Sequence, residues 1–454
     1  MVASANAVGI LKSKALCRVP FLIEIDLNTM RTRKSIRLLV AGVVWPAETF
    51  LARLIQALRD AGLDVTVGYV SHTGQPKPLS PDVRWLRLPA WEGIYVLRLL
   101  RLVLMTTVAA LIAPADLARF LRCVRRFGRM RDRLHNVHRW LPFAGGRWDV
   151  IYFPWINSAV TNWPLFDGPA LVIVSCRGQQ INIQPRVKEN SQHVVALRAA
   201  FARAAAVHCV SEAMLKEAEG LGLPREKAVV IRPAVDAGVF CPLESQPKRG
   251  GEFIVVTTGR LVWLKGMEYA LSAIRMLRDR GVSVRFEIIG DGPERQRVIY
   301  TIHDLGLHDC VRLHGHLRPE EVLHRLQQAD AFLLSSFSEG ISNAVLEAMA
   351  CGLPVVSTNC GGMREAVTDG VEGFVVPLRN PVAMADSLFR LALEPDLHQQ
   401  MGRAARARIL REFTLQRQIK DWLALLDAVL SGRSKCRFVD HSRPVSEVPE
   451  VCLR

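Results

Sequence analysis

The sequence lacks the closely spaced cysteine pairs that zinc sites and dithiol redox centres require. Its ten cysteines are scattered over 454 residues, and no two of them are separated by just two residues. Zinc and redox frameworks normally show such short spacers. We therefore expect scattered reduced thiols in a cytoplasmic protein and no zinc or dithiol redox framework.

Long uninterrupted apolar runs are also missing. The longest run, residues 102–113, is shorter than the roughly twenty residues that a helix needs to cross a bilayer. Lys12, Lys14 and Arg18 interrupt the N-terminal segment, which argues against a secretory signal. No transmembrane helix is predicted, although a segment that lies on a membrane surface stays open.

Acidic residues are too few to balance the basic ones. The chain has 59 Lys and Arg against 43 Asp and Glu, a net charge of +16 at pH 7. This charge favours an anionic partner, namely nucleic acid, lipid headgroups or a phosphorylated substrate. Half of the residues are apolar, which excludes a disordered chain. At roughly 100–200 residues per domain, the length predicts two or three globular units.

What is present is a regular alternation of β-branched runs and helical patterns, which predicts parallel sheets covered by helices. In the second half, strands are predicted from Phe253, Val284, Val311, Ala331, Pro354 and Gly373. Helices are predicted between them, near residues 266–280, 294–306, 319–329, 343–351 and 380–393. The first half is less regular, with strands near Ile36, Asp64, Val83, Asp149, Ala170, Ala206 and Val229. Two Rossmann-like doubly wound domains follow.

Composition also suggests where these domains begin and end. We predict a disordered leader (1–34, with Met30 as a candidate translation start), an N-terminal domain (35–243), a linker rich in Pro and Gly (244–252), a C-terminal domain (253–413), a helix (414–431) and a tail (432–454). The helix comes after the last strand, so it can pack on either domain.

An arginine-rich region, Arg98 to Arg147, interrupts the first half. It holds eleven Arg and no Lys against two Asp, so it carries +9 of the net charge. Within it we predict one basic amphipathic helix, which is either an ordinary solvated surface or a docking site for an anionic membrane or a phospholipid-linked substrate. Its apolar face comprises Leu117, Phe120, Val124, Phe127 and Leu134, beside a stripe of Arg119, Arg122, Arg126, Arg129 and Arg133. Nucleic acid is disfavoured because base-reading groups are not interleaved with the arginines.

In open parallel sheets, ligands bind beyond the carboxyl ends of the strands, so the turns there are candidate sites. The strand that ends at Thr258 is followed by Arg260 and Lys265. A guanidinium and an ammonium at this spacing can clamp a diphosphate, and two solvated surface cations are the alternative. The next strand ends in Gly290 and Gly292, which form either a structural turn or a place where backbone approaches a ligand.

The third turn carries two glutamates, Glu339 and Glu347, eight residues apart. Gly340 between them argues against one continuous helix. We therefore predict Glu339 on the turn, Ser342 as the N-cap and Glu347 on the following helix. A carboxylate beside a helix end that favours anions needs hydroxyl groups as partners, which indicates a sugar or a ribose.

Together these motifs resemble the nucleotide-binding domain of the retaining family 4 glycosyltransferases, which have the GT-B fold of two facing Rossmann-like domains. The resemblance extends from Phe253 to about Phe413, through GRLVWLKG, IIGDGPE, EAMACGLPVVST, GGMREAV and DGVEGFVVP. In the first half, WPAETFLARLIQALRDAGLDVTV looks more loosely like members that build surface polysaccharides. The implied fold class is α/β, with a cleft between the domains.

The resemblance also implies roles for the matching residues. Arg260 and Lys265 would stabilise the leaving diphosphate, Glu347 would hold the ribose hydroxyls, and Glu339 would contact the sugar. Further donor contacts are implied at Gly290, Gly315, Gly340, Ser342, Asn343 and Ala344. Fixed positive charge and a helix dipole would then take the place of a catalytic metal.

Three residues of the first half are candidate acceptor or sugar contacts: Arg177, Gly178 and Trp45. Arg177 stands where the family often has a histidine that contacts the transferred sugar, so the orientation and identity of the donor stay open. Trp45 either packs in the core or lines the acceptor site. His314 and His316 flank a strand-end glycine, where backbone contacts to the donor base are favoured over a metal pair.

The resemblance predicts a retaining hexosyl glycosyltransferase that uses a nucleotide-diphosphate sugar and extends a glycan or lipid-linked acceptor in cell-surface polysaccharide synthesis. We expect it in the cytoplasm, peripheral at the inner face of the cell membrane, with no nucleic acid partner. The alternatives are a noncatalytic nucleotide-sugar-binding or membrane scaffold protein, and a nucleotide-sugar epimerase of similar architecture.

Overall fold

Short parallel strands and helices alternate through two successive halves of the chain. The computed structural model describes residues 35–45, 47–71, 82–88, 95–125, 127–187, 191–243 and 251–432. The predicted leader with Met30, most of the linker, most of the tail, and Arg126 lie outside the described residues.

The first sheet has seven strands within these ranges, and each neighbouring pair is parallel. They are β1 (Arg37–Trp45), β2 (Asp64–Ser71), β3 (Arg84–Arg87), β4 (Val150–Phe153), β5 (Leu171–Cys176), β6 (Ala206–Cys209) and β7 (Ala228–Val230). Their order is β3-β2-β1-β4-β5-β6-β7. Central strands such as β4 are buried along their whole length, as apolar runs covered on both faces require.

The second sheet repeats this pattern with six parallel strands in the described part of the chain. They are β8 (Phe253–Thr258), β9 (Val284–Ile289), β10 (Val311–Gly315), β11 (Ala331–Leu334), β12 (Val355–Thr358) and β13 (Gly373–Val376). Their order is β10-β9-β8-β11-β12-β13. In each sheet the order therefore reverses beside the first strand, which is the Rossmann-like arrangement.

Helices cover both faces of each sheet. The first half contains α1 (Thr49–Asp60), α2 (Tyr95–Ile112), α3 (Pro114–Val124), α4 (Met130–Trp140), α5 (Ile156–Thr161), α6 (Gln179–Asn182), α7 (Ser191–Arg203) and α8 (Glu212–Gly220). The second half contains α9 (Met267–Asp279), α10 (Arg295–Asp304), α11 (Pro319–Gln328), α12 (Asn343–Ala350), α13 (Met363–Ala366), α14 (Pro381–Leu393), α15 (Pro395–Glu412) and α16 (Leu415–Leu430).

The predicted fold class is confirmed, because two doubly wound parallel sheets follow each other in the chain. The predicted strands of both halves and the five predicted helices between the strands of the second sheet are present, with ends that differ by a few residues. Strands and helices of this regularity are predictable because their apolar periodicity is strong.

Helix α16 packs on the first sheet although it follows the second one in the chain. Its buried residues Ile419, Trp422 and Leu426 belong to the same apolar cluster as Leu38 and Ile173 of the first sheet. The sequence left both domains open as its partner, and the structure selects the first.

The connections between the two sheets run side by side. Val235 lies after β7, and its N–H donates to the carbonyl of Phe413 at 3.0 Å. Val235 also forms an isolated parallel bridge with Thr414, the N-cap of α16. The outgoing and returning segments are therefore hydrogen bonded to each other.

The prediction of one basic amphipathic helix in the arginine-rich region is wrong. Helix α3 ends at Val124 and α4 begins at Met130, with Gly128 in the break. Glycine has a low helix propensity, and the Phe127 carbonyl in the break instead accepts a hydrogen bond from Arg133 Nε at 2.6 Å. The predicted apolar face is nevertheless turned inward, since Leu117, Phe120, Val124 and Phe127 are buried and Leu134 is half-buried.

The stripe of arginines is also less uniform than predicted. Arg119 pairs with Asp116 at 2.6 Å and is largely buried, and Arg133 is tied to the break between the helices. Arg122 and Arg129 are exposed. Among the residues that the structure describes, no helix combines the length and apolarity of a membrane crossing.

Candidate functional site

Two turns of the second sheet meet where the strand order reverses. One turn follows β8 and contains Arg260 and Lys265, and the other follows β11 and contains Glu339. Because β8 and β11 are adjacent strands from which the chain winds in opposite directions, a crevice forms between the two turns. The predicted donor residues therefore surround a switch point of the sheet.

Lys265 and Glu339 form a direct ion pair at this crevice. Lys265 Nζ donates to Glu339 Oε1 at 2.6 Å, and Ser336 Oγ donates to the same oxygen at 2.8 Å. The two turns are also joined through their backbones, since the Phe337 N–H donates to the Leu264 carbonyl at 2.7 Å. The structure thus unites two residues that were predicted from separate motifs.

Arg260 lies on the same turn as Lys265, but its side chain is exposed. The charge of Arg260 acts on Glu48 of the first domain. The Glu48 side chain is exposed to solvent on one side and surrounded by protein on the others. Burial raises the pKa of Glu48, and the charges of Arg177 and Arg260 oppose that rise. An exposed guanidinium beside the crevice is accessible to an incoming anion, as a diphosphate clamp requires.

Helix α12 begins where the sequence predicts, with Ser342 as its N-cap and Glu347 in its second turn. Asn343 and Ala344 are its first two residues, and a helix start offers unpaired amides to an anion. The buried side-chain oxygen of Asn343 has no hydrogen-bond partner among the described residues. Such an acceptor is costly to leave unpaired, so it indicates a place where a ligand hydroxyl can donate.

Glu347 is shared between the site and the contact of the two domains. Arg53 Nη1, from α1 of the first domain, donates to Glu347 Oε1 at 3.2 Å. Burial raises the pKa of Glu347, and Arg53 opposes the rise through its charge and its hydrogen bond. The carboxylate that is predicted to hold ribose hydroxyls is therefore also an anchor for the first domain.

Gly290 serves close packing between neighbouring turns. A Cβ on Gly290 would overlap the carbonyl oxygen of Gly259, and one on Gly292 would overlap that of Leu261. The Gly290 N–H donates to the carbonyl of Gly315 at 2.8 Å. Of the two interpretations that the sequence left open for the Gly290 turn, these contacts favour the structural one. Gly315 has a φ of 71° and open space where a Cβ would project.

Gly340 allows the first domain to approach the Glu339 turn closely. A Cβ on Gly340 would lie 2.9 Å from the carbonyl oxygen of Arg177. Beside this contact, Asn182 Nδ2 of the first domain donates to Ser338 Oγ at 3.0 Å. Arg177 therefore lies at the domain interface, next to the turn that carries Glu339.

The side chain of Arg177 is held by a chain of buried hydrogen bonds. Arg177 Nη2 donates to Tyr152 Oη at 2.9 Å, Tyr152 Oη lies 2.9 Å from Ser175 Oγ, and Ser175 Oγ lies 2.5 Å from His208 Nδ1. His208 Nε2 lies 2.8 Å from the Ile231 carbonyl oxygen. The guanidinium donates at one end and the Ile231 carbonyl accepts at the other, and with a neutral His208 ring each intervening proton is directed from Arg177 toward Ile231.

Gly178 and Trp45, the other first-domain candidates, have different surroundings. Gly178 is the N-cap of α6, and no atom lies near the position of a Cβ there. Trp45 ends β1, and its ring packs edge-on against Trp85 with 4.8 Å between centroids. Trp85 in turn contacts Tyr69, so Trp45 is part of an aromatic cluster.

Sequence reasoning missed three residues that the structure places around the cleft. Glu48 and Arg53 follow β1 directly, and Tyr152 lies on β4, the strand beside it. Their position at the carboxyl end of the first sheet was the signal available for Glu48 and Arg53. Tyr152 gave no such signal, because it stands inside a buried apolar strand.

His314 is engaged in an ion network rather than directed at His316. Its Nε2 contacts Glu287, a buried carboxylate that also pairs with Arg285 and Arg325. In the described part of the chain, no group of three His, Cys, Asp or Glu side chains is arranged to hold a metal ion.

Comparison with known proteins supports this description. Residues 243–408 match the profile of glycosyl transferases group 1, and residues 47–234 match that of a glycosyl transferase 4-like domain. A curated relative, WcaL of Escherichia coli (strain K12), is 33% identical over 227 residues, which cover 48% of this chain and 56% of WcaL. The chain thus spans about half the length of the curated relatives that it matches.

Solved structures show the same fold at low sequence identity. Sucrose-phosphate synthase from Thermosynechococcus elongatus aligns with a TM-score of 0.69 and 18% identity, over 88% of this chain and 100% of that one. Anabaena Alr3699/HepE, solved in complex with UDP and glucose, aligns with a TM-score of 0.64 and 17% identity, over 87% and 100%. The two profiles together span most of the residues on both sheets, and the chain belongs to the group 1, family 4-like glycosyltransferases of the GT-B fold.

Proposed function

We propose that the protein transfers a sugar, with retention of configuration, from a nucleotide-diphosphate donor to a glycan or lipid-linked acceptor in cell-surface polysaccharide synthesis. The ion pair of Lys265 with Glu339 at the switch point of the second sheet is the observation that carries this proposal. The names of relatives agree with it, since WcaL is named for colanic acid biosynthesis.

In this proposal the donor lies in the crevice between the β8 and β11 turns. Arg260 and Lys265 bind the diphosphate, the start of α12 adds amide donors, and Glu347 accepts hydrogen bonds from the ribose. The structure of Anabaena Alr3699/HepE with UDP-glucose supports a donor of this class. Fixed cations and a helix end then stabilise the charge that develops as the diphosphate leaves, so no metal is needed.

Glu339 has two partners in this scheme. When a diphosphate draws Lys265 toward itself, the Glu339 carboxylate becomes available to the sugar hydroxyls, while Ser336 keeps it in place. The acceptor oxygen then forms its bond to the anomeric carbon on the face from which the phosphate oxygen departs, and its proton passes to that phosphate. This sequence retains the anomeric configuration.

Arg177 is proposed to contact the transferred sugar or the acceptor from the first domain. Its guanidinium is fixed by Tyr152 on one side and lies 4.6 Å from the centroid of the Phe50 ring on the other. A cation held over an aromatic face is pre-organised. We also place the enzyme in the cytoplasm, peripheral at the inner face of the membrane, where a lipid-linked acceptor would be reached.

The first test is nucleotide release from a panel of nucleotide sugars, measured alone and with lipid extracts as the acceptor source. We expect Lys265→Ala and Glu339→Gln to lower release by about 10²–10³-fold, the usual cost of removing one group that stabilises transition-state charge. Lys420→Ala and Glu320→Gln, at exposed positions away from the crevice, are matched controls that should remain active.

Fully active Lys265→Ala protein would contradict the diphosphate clamp. Binding of a nucleotide sugar without release by the wild-type protein, with every donor and extract, would instead identify a noncatalytic binding protein. Conversion of the sugar without transfer to an acceptor would identify an epimerase.

A further inference from the structure

Helix α2 exposes an unusually large apolar surface. Val108 on its outer face is 43% exposed, and seven further aliphatic side chains there are between 60% and 79% exposed, namely Val96, Leu97, Leu100, Val103, Leu104, Leu111 and Ile112. Single exposed aliphatic residues are common on soluble proteins, but contiguous patches of this kind mark interaction sites.

The exposed positions lie on one continuous face. At about 100° per residue, they cover an arc of about 180°, in which the polar residues are Arg101 and Thr107. The opposite side contains Leu102 and Ala109, which are buried in the core of the first domain. An amphipathic surface helix normally turns a polar face to solvent. Helix α2 differs, because its face toward the core and its face toward solvent are both apolar.

Positive charge borders this apolar face. Arg98 and Arg101 lie at one edge of it, on α2 itself. Helix α3 packs against α2, and α4 packs against α3. This three-helix segment also carries exposed arginines at positions 122, 125, 129 and 131. Its acidic residues are Asp116 and Asp132, and Asp116 is already paired with Arg119.

An apolar helical face beside arginines is complementary to an anionic bilayer. Aliphatic side chains gain free energy by entering the boundary between headgroups and acyl chains, and arginines on their long stems reach the lipid phosphates. We propose that the outer face of α2 docks the first domain on an anionic membrane, with the helix lying in the plane of the interface. The site differs from the arginine stripe that the sequence suggested, because α2 supplies the apolar contact.

This docking does not depend on the proposed transfer reaction, since it needs neither donor nor acceptor. Its test is flotation of the full-length protein with vesicles of phosphatidylglycerol and phosphatidylcholine at low salt, compared with pure phosphatidylcholine. We expect binding to the anionic vesicles that weakens as salt rises, and at least tenfold weaker binding to the neutral ones.

The decisive variant is L104E/L111E, which places charge on the apolar face at residues that are 65% and 79% exposed and so should not disturb folding. We expect at least a tenfold loss of vesicle binding. The control is L393E/L410E, which changes two leucines of the second domain that are 59% and 54% exposed, and it should bind like the wild type. Circular dichroism of each variant checks that it is folded.

A second pair of variants tests the charge. R122Q/R129Q should bind anionic vesicles less tightly and with a smaller dependence on salt, whereas R312Q/R403Q, exposed arginines of the second domain, should not.

Three results would overturn the proposal. The first is no binding of the wild type to anionic vesicles at low salt. The second is equal binding by L104E/L111E and L393E/L410E. The third is a wild-type dimer in sedimentation velocity that L104E/L111E converts to a monomer without any change in vesicle binding, which would make the face an interface between two copies.

Discussion

His208 is a buried titratable member of the chain of hydrogen bonds that fixes Arg177. Burial and the nearby Arg177 charge lower its pKa from 6.5 to about 3, although its hydrogen bond to Ile231 opposes the fall. In the neutral ring, Nε2 donates to the Ile231 carbonyl and Nδ1 accepts from Ser175. A protonated ring would donate from both nitrogens, which would reverse the hydrogen bonds through Ser175 and leave Tyr152 Oη to accept from both Arg177 and Ser175.

The unfolded chain therefore binds a proton at His208 over a pH range in which the folded protein does not. The contribution of His208 to the free energy of unfolding should be fully present above about pH 6.5. It should fall by about 1.4 kcal/mol per pH unit from there toward pH 3. Urea denaturation of His208→Gln should show a shallower acid loss than the wild type. His308→Gln, an exposed histidine, is the control, and equal slopes for all three proteins would contradict the assignment.

The positions of residues within a sequence motif could be predicted. The contacts of residues that reach a site from the other domain could not. Lys265, Glu339 and Glu347 lie at strand ends or on the helix that follows one, so their positions were predicted from the sequence, and the family resemblance implied their roles. Arg53 acts on Glu347 from the other domain, 294 residues away in the chain. No local pattern in the sequence predicts a contact between residues so far apart in the chain.

At the scale of elements, α16 shows how tertiary contacts decide what periodicity leaves open. Its helical period and its N-cap Thr414, whose side chain accepts from Arg417, are local and predictable. Its place on the first sheet depends on Trp422, which packs at 4.7 Å from the Tyr152 ring and 4.9 Å from the His208 ring. The break between α3 and α4 shows the opposite problem. The apolar periodicity in the sequence runs without interruption through both helices, although α3 ends at Val124 and α4 begins at Met130.

Removal of this tryptophan should loosen the first domain in particular. Trp422→Ala should lower the free energy of unfolding by about 3–5 kcal/mol, the cost of a large cavity in a packed core. Leu430→Ala, on the same helix but 39% exposed, should have a much smaller effect. Hydrogen exchange should locate the loosening in the first sheet, and uniform protection in both sheets would argue against this role of α16.

At the scale of the whole molecule, Glu365 joins the two domains. It lies on α13 in the second half, and its carboxylate accepts from the N–H groups of Glu212 and Ala213 at 3.1 and 3.0 Å, where α8 of the first half begins. Arg232 adds a hydrogen bond at 3.2 Å. A carboxylate at a helix start is favoured by the partial positive charge there, so this contact stabilises the packing of the two domains against each other.

Loss of that contact should shift the protein toward an open arrangement. Glu365→Ala removes the acceptor of two helix-start donors and a guanidinium, at a cost of about 1–3 kcal/mol, and the ratio of closed to open molecules should fall about tenfold for each 1.4 kcal/mol. Small-angle X-ray scattering should report a larger radius of gyration than that of the wild type. Glu320→Ala is the surface control, and identical scattering from all three proteins would show that Glu365 does not hold the domains together.

The side-by-side connections at Val235 and Thr414 mean that the first domain is not one continuous stretch of the gene. A chimera with a relative that exchanged everything after the linker would carry a foreign α16 against Leu38, Tyr152 and His208. Exchange of the second domain for that of a relative therefore requires two junctions, one before Phe253 and one near Phe413, so that the last helix stays with the half on which it packs.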